Sequence, residues 1–268
     1  CSWSGVWLMS NAKKMLLSAA GNAGEPGLDI TEVFSTYLYT GNGSTRSINN
    51  GIDLDGEGGL VWIKARTFGD GGNVHSLFDT ERGVATLNNG SSGDGGYLSS
   101  SSVDAESAYN TTLTSFNSSG FSLGSDQSVG AVNYDSNSTF ASWTFRKSEK
   151  FFDVVTYTGN GSVRTISHGL NCAVGSIFIK RLDNNNPWII FHRSNGATGW
   201  LSFDTAAFGV NSGAFNNTMP TDSVFTLGTR DDVNNNGNKY VAYLFAHNNN
   251  DGEFGPDADQ DIIKCGSY

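Results

Sequence analysis

Cysteine is scarce and odd in number. Cys1, Cys172 and Cys265 are the three in 268 residues, with no C-x-x-C pair among them, so neither a disulfide framework nor a thiol metal cluster is encoded. Proline is rarer than glycine, 4 against 34, which leaves no polyproline linker and makes Gly and Asn the turn formers. Basic residues number 16 against 26 acidic ones, a net charge of −10. The largest basic clusters are the pairs Lys13-Lys14 and Arg146-Lys147, so no nucleic-acid partner is expected, because a polyanion needs a concentrated cationic surface. No stretch of ~18 apolar residues exists, so no membrane-spanning helix and no membrane insertion are expected. Met15-Leu-Leu-Ser-Ala-Ala20 after two lysines is too short an apolar run to read as a secretory leader.

Catalytic signatures are missing as well. The chain has no Walker loop and no G-x-G-x-x-G. Its four histidines, His75, His168, His192 and His247, lack metal-ligand spacing. No pair of carboxylates recurs where shared chemistry would need it, so an enzyme is not expected and no catalytic residue is assigned.

What the chain does have is a copy of itself. Tyr39-Thr-Gly-Asn-Gly-Ser-Thr-Arg-Ser-Ile48 returns as Tyr157-Thr-Gly-Asn-Gly-Ser-Val-Arg-Thr-Ile166, Gly41 becoming Gly159 at an offset of 118. The echo continues through Leu60-Val-Trp-Ile-Lys64 and Ser176-Ile-Phe-Ile-Lys180, then Gly96-Tyr-Leu-Ser99 and Gly199-Trp-Leu-Ser202. It closes on Ala141-Ser-Trp-Thr-Phe145 and Val241-Ala-Tyr-Leu-Phe245, where the offset has shrunk to 100. Apolar segments persist and polar ones are lost, as expected of one core with drifting loops. The period is that of a whole small domain rather than a solenoid unit.

Phe34, Thr36 and Leu38 alternate with Ser35, Tyr37 and Tyr39 up to Gly41-Asn-Gly43, the pattern of a strand entering a tight hairpin. Leu60 to Ile63, Phe140 to Phe145, Ile177 to Ile179, Trp188 to Phe191 and Tyr240 to Phe245 are short apolar runs between polar clusters, too short for helices. Asn88-Asn-Gly90 and Asn234-Asn-Asn-Gly-Asn238 are further turn signals. The expected fold is all-β: two tandem antiparallel β-sandwiches of jelly-roll type. One short helix is expected from Ala12 to Ala20, with Ser10-Asn11 as N-cap and Gly21 as C′ residue. It either anchors the chain to a partner or packs on the first sandwich. The expected divisions are an N-terminal segment 1–32, repeat one over 33–150, repeat two over 151–250, and 251–268 as an acidic linker plus the first strand of a partial third repeat. That last strand either opens a further copy or pairs with an open sheet edge.

Two groups of residues invite a binding role. Asp251, Asp257, Asp259 and Asp261 crowd a Gly-containing loop, which reads either as a structural calcium site, since Ca²⁺ takes six to eight oxygens, or as a solvated acidic linker. No other cofactor is expected. Trp188, Trp200, Tyr97 and Tyr109 flank Gly- and Asn-rich segments; they are either core and rim residues or platforms on which a sugar ring stacks.

The longer phrases resemble a known family. Gly58-Gly-Leu-Val-Trp-Ile-Lys64, Leu77-Phe-Asp-Thr80, Phe151-Phe-Asp-Val-Val-Thr-Tyr-Thr-Gly159, Tyr240-Val-Ala-Tyr-Leu-Phe-Ala-His-Asn248 and Gln260-Asp-Ile-Ile-Lys-Cys-Gly266 are similar to an uncharacterised repeat domain in virion proteins of marine tailed phages, cyanophage-like ones included. The likeness runs from about residue 7 to 268. It implies lectin-like, laminin-G- or concanavalin-like sandwiches in a tail fibre or appendage, located in the virion. The partners it implies are other virion proteins, further copies of the chain in a homo-oligomer, and a host-surface glycan. A capsid decoration or a structural fibre without a receptor is the alternative, and a glycan-degrading enzyme a more remote one. The resemblance supplies no site residues.

Overall fold

The computed structural model describes residues 26–67, 75–87, 95–125, 132–203, 208–210 and 212–266. The expected helix over Ala12 to Ala20 and the Asn88-Asn-Gly90 turn lie outside them. The described chain is almost entirely antiparallel β structure. Its helices are single turns, α1 at Ile30–Val33 and α2 at Asp231–Asn234. A capping box holds α1: the Asp29 carboxylate accepts from the Thr31 N–H, and Glu32 accepts from the Asp29 N–H.

The first half contributes β1 (Phe34–Thr40), β2 (Arg46–Asn49), β3 (Gly59–Thr67), β4 (His75–Asp79), β5 (Leu98–Ser99), β6 (Leu113–Asn117), β7 (Gly120–Leu123) and β8 (Thr139–Arg146). The second contributes β9 (Phe152–Thr158), β10 (Arg164–Ser167), β11 (Val174–Arg181), β12 (Ile189–His192), β13 (Gly199–Leu201), β14 (Phe208–Val210), β15 (Val224–Leu227) and β16 (Lys239–Ala246). Pairing orders β1-β8-β3-β4-β5 beside β2-β7-β6 in the first half. In the second they are β9-β16-β11-β12-β13-β14 beside β10-β15. The large sheets match strand for strand until β14, which has no counterpart among the described residues of the first half. The segment answering to β6 is a set of turns in the second half.

Each large sheet is apolar on both faces, and the pleat sorts its side chains. In β3, Val61, Ile63 and Ala65 face a core shared with Ile48, Phe121 and Leu123 of the small sheet. Leu60 and Trp62 face the other way, toward the second half. In β16, Tyr240, Ala242 and Leu244 face the core shared with Phe225 and Leu227 of the small sheet. Val241, Tyr243 and Phe245 turn toward the first half. The halves therefore enclose a core each and a third core between them.

The repeated Thr-Gly-Asn-Gly phrase is not a hairpin turn, contrary to the sequence expectation. β1 pairs with β8 and β2 with β7, so the segment crosses between sheets. A buried asparagine clamps it: Asn133 Nδ2 donates to the carbonyls of Ser44 and Gly124, and its Oδ1 accepts from the Asn42 N–H. Asn234 repeats all three bonds with Ser162, Gly228 and Asn160. Arg46 and Arg164 close the loop by donating to the carbonyls of Thr40 and Thr158. A Cβ on Gly41 would sit 2.4 Å from the Tyr134 carbonyl oxygen, and one on Gly159 2.2 Å from that of Asn235, so glycine is required at both.

The strand expected over 261–268 is also not formed in its described part, 261–266. Those backbone groups are taken up by the end of the second half. Asn248 Oδ1 accepts from the Ile262 and Ile263 N–H groups, and His247 Nδ1 from that of Cys265.

Candidate functional site

The four aromatics singled out from sequence divide into two pairs. Trp188 and Trp200 are interior. Trp188 is fully buried between the halves, its indole N–H donating to the Ser99 carbonyl at 2.8 Å. Trp200 packs in the core of the second half under the Arg230 guanidinium, 4.5 Å from its ring centre. Neither ring can stack on a ligand, because both faces are already covered. Strand residues cover them: Tyr243 stacks on Trp188, and Gly209 of β14 lies directly against the Trp200 indole.

Tyr97 and Tyr109 are brought together. Both are half-buried, with ring centres 6.4 Å apart and planes 24° apart. Tyr97 precedes β5 and is held by reciprocal backbone bonds with Ser107, 3.0 and 3.1 Å. Gly96 permits this approach, since a Cβ there would lie 2.0 Å from the Ser107 carbonyl oxygen. Beside Tyr97 opens a hollow of about 170 Å³ lined by Ser99, Ser101, Ser102, Asp104 and Ser107. Ser99 and Ser101 hydroxyls lie 3.1 Å apart, and the Asp104 N–H donates to Ser102 Oγ at 3.4 Å. Tyr97, several serines and one exposed carboxylate thus line one small hollow. The sequence signal was the run Ser99-Ser-Ser-Ser102 directly after Tyr97-Leu98, which the aromatic reading passed over.

Beneath the hollow lies a buried charge network that sequence reasoning missed. Arg82 pairs with Asp79 and with Glu106, each at 2.6 Å. Its remaining donors reach the Gly96 and Leu77 carbonyls and the Tyr243 hydroxyl. Burial alone would lower the Arg82 pKa, but the facing Asp79, Tyr243 and Glu106 hold it above its ordinary value. Burial likewise pushes Tyr243 well above the ordinary phenol range. With every guanidinium donor engaged, the network is structural: it fixes the Gly96–Ser107 wall of the hollow and joins it to the second half.

The acidic loop does not assemble a cation cage. Asp251, Asp257, Asp259 and Asp261 are exposed. Among the described residues no three His, Cys, Asp or Glu side chains come close enough to hold a metal ion. Asp261 instead staples the loop, accepting from the Asn250 and Gly252 N–H groups, which hold its carboxyl below the usual range. Asp251 accepts from the Asn249 N–H. Backbone amides bond two of these carboxylates, Asp251 and Asp261.

Comparison with known proteins places the chain in one family: residues 29–257 match the domain of unknown function DUF7483, and the chain belongs to that family. No curated protein and no solved structure matches it.

Proposed function

We propose that the chain is a non-enzymatic attachment module in which two lectin-like, jelly-roll sandwiches stack face to face and the Tyr97 hollow holds a terminal sugar of a host-surface glycan. The observation that carries this reading is the hollow itself, an aromatic ring edged by serine hydroxyls and Asp104, the donor and acceptor set that grips a pyranose. Its volume suits one ring at a chain end. Among the described residues Asp104 is the carboxylate lining it, while Glu106, two residues on, is engaged by Arg82, so those residues do not supply the carboxylate pair of a glycosidase there. The phage-like phrases extend the reading to a virion tail fibre or appendage that assembles with other virion proteins as a homo-oligomer.

A glycan array probed with the folded chain tests the sugar, with Tyr97→Ala and Asp104→Asn as controls. Binding that both variants lose supports the proposal, and a blank array refutes it. A receptor-free fibre or decoration protein is the second reading, favoured by β14, a sheet-edge strand with Phe208 and Val210 exposed. Antibody labelling of particles separates the two: a label on the tail with blocked adsorption favours attachment, and a label on the head favours decoration.

A further inference from the structure

The third core does not run the full width of the large sheets. They meet where Leu60, Leu77, Phe152 and Tyr243 pack and part toward β12, β13 and β14, leaving a groove of about 690 Å³. Its floor is the outward face of the second large sheet: Phe245, then the row Phe178, Ile190, Leu201 and Phe208, which the strand registers place side by side. Trp62 forms the opposite wall. The rings touch in series, Phe245 to Phe178 at 4.9 Å, Phe178 to Phe203 at 4.7 Å and Phe203 to Trp62 at 6.2 Å. The size is that of a small-molecule site, roughly 300–1,000 Å³, and an apolar cleft left open marks a place of contact.

Its chemistry is unlike that of the Tyr97 hollow. The polar side chains lining it are Ser176, Ser202 and His192, and the Ser176 hydroxyl already donates to the Phe191 carbonyl. A sugar would leave most hydroxyls unpaired there. Charge points further. The chain carries 26 acidic residues, yet among the described residues none lines the groove. Cationic residues adjoin its lining in the chain instead. Lys64 lies two residues beyond Trp62 on the same strand face, Arg193 follows His192, and Lys264 stands between Ile263 and Cys265, both of which line the groove.

We propose that this groove binds an anionic amphiphile, an acyl-like apolar body lying along the Phe178, Phe203 and Trp62 rings with its carboxylate or phosphate toward Arg193 and Lys264. The site is separate from the sugar hollow and stands whether or not that hollow binds a glycan.

The test titrates the full chain with decanoate, decyltrimethylammonium and octyl glucoside below their micelle thresholds, read by calorimetry. Saturable one-to-one decanoate binding is expected, with the cationic and neutral amphiphiles at least about fivefold weaker, the scale of one exposed ion pair. Phe203→Ser and Phe208→Ser, both at exposed positions, should abolish it while the far-ultraviolet circular dichroism stays unchanged. Arg193→Gln should weaken decanoate alone. Tyr97→Ala should leave decanoate binding intact, which separates this site from the attachment reading. Equal affinity for the three amphiphiles, or no saturable binding, overturns the proposal. So does a ligand-free dimer by sedimentation that Phe208→Ser dissolves, since the groove would then be covered by a second copy.

Discussion

The Tyr243 hydroxyl donates to Asp79 Oδ2 at 2.7 Å, joining positions 164 residues apart with neither side chain exposed. This bond belongs to β16 on one side and β4 on the other, so it fixes how the two halves sit. Tyr243→Phe should lower stability by about 1.5–3 kcal/mol, the range for a hydrogen bond to a charged group. Arg82→Met should do more, about 3–5 kcal/mol, because it leaves Asp79 and Glu106 buried without their cation. Urea denaturation of both variants checks the order. Equal losses would mean that the phenol, not the guanidinium, organises the network.

Asn133 and Asn234 make matching sets of three bonds, so their removal should act alike. Asn133→Ala and Asn234→Ala should each destabilise by about 2–4 kcal/mol, since each leaves one buried carbonyl, one part-buried carbonyl and one part-buried amide without this partner at ~1–3 kcal/mol per group before relaxation. The two losses should add in the double variant, because the sites lie in different cores. Thermal melts of the singles and the double measure this.

His168 predicts the sign of a pH response. Burial holds its pKa below the ordinary 6.5, while Asp153 and Asp222 oppose the shift in part. The unfolded chain therefore takes up the proton first as pH falls, and stability should decline as pH drops through 6.5 toward the folded value and be regained on raising it. His75 and His247 are shifted the same way, each chiefly by burial. His168→Gln should accordingly flatten the decline without abolishing it, as read from melting temperatures at pH 5.5 to 7.5. A variant that melts with an unchanged slope would remove His168 from the account.

The shared third core predicts one unfolding event. Leu60, Leu77, Phe152, Trp188 and Tyr243 are all at or below 1% exposed, and each would meet water if the halves parted. Calorimetry should show a single transition whose calorimetric and van't Hoff enthalpies agree. Two resolved transitions would mean that the halves fold independently.

The strands of both halves were legible because their alternation and Gly-Asn boundaries are local properties. Phe34 to Tyr39 and Tyr240 to Phe245 fall in β1 and β16 as read. The seam was not legible, since a run such as Leu60-Val-Trp-Ile63 looks the same whether one face or both are covered. Trp188 stayed open between core residue and platform for that reason: the surface that buries it comes from the other half. The Gly41-Asn-Gly43 phrase has hairpin chemistry, but a buried asparagine 90 residues on decides where it leads. Tyr97 and Tyr109 could be picked out from composition, whereas the serine hollow beside them depends on backbone pairing with Ser107, which no spacing rule announces.

The two copies meet through equivalent surfaces, each presenting the outward side of its own broad sheet. Such a joint is self-limiting. Once a pair has formed, the part of that side where Leu60, Leu77, Phe152 and Tyr243 pack is covered, and a further copy cannot join there by the same geometry. A longer string of these repeats would advance two at a time, with couples as its units and a different, unshared surface linking one couple to the next.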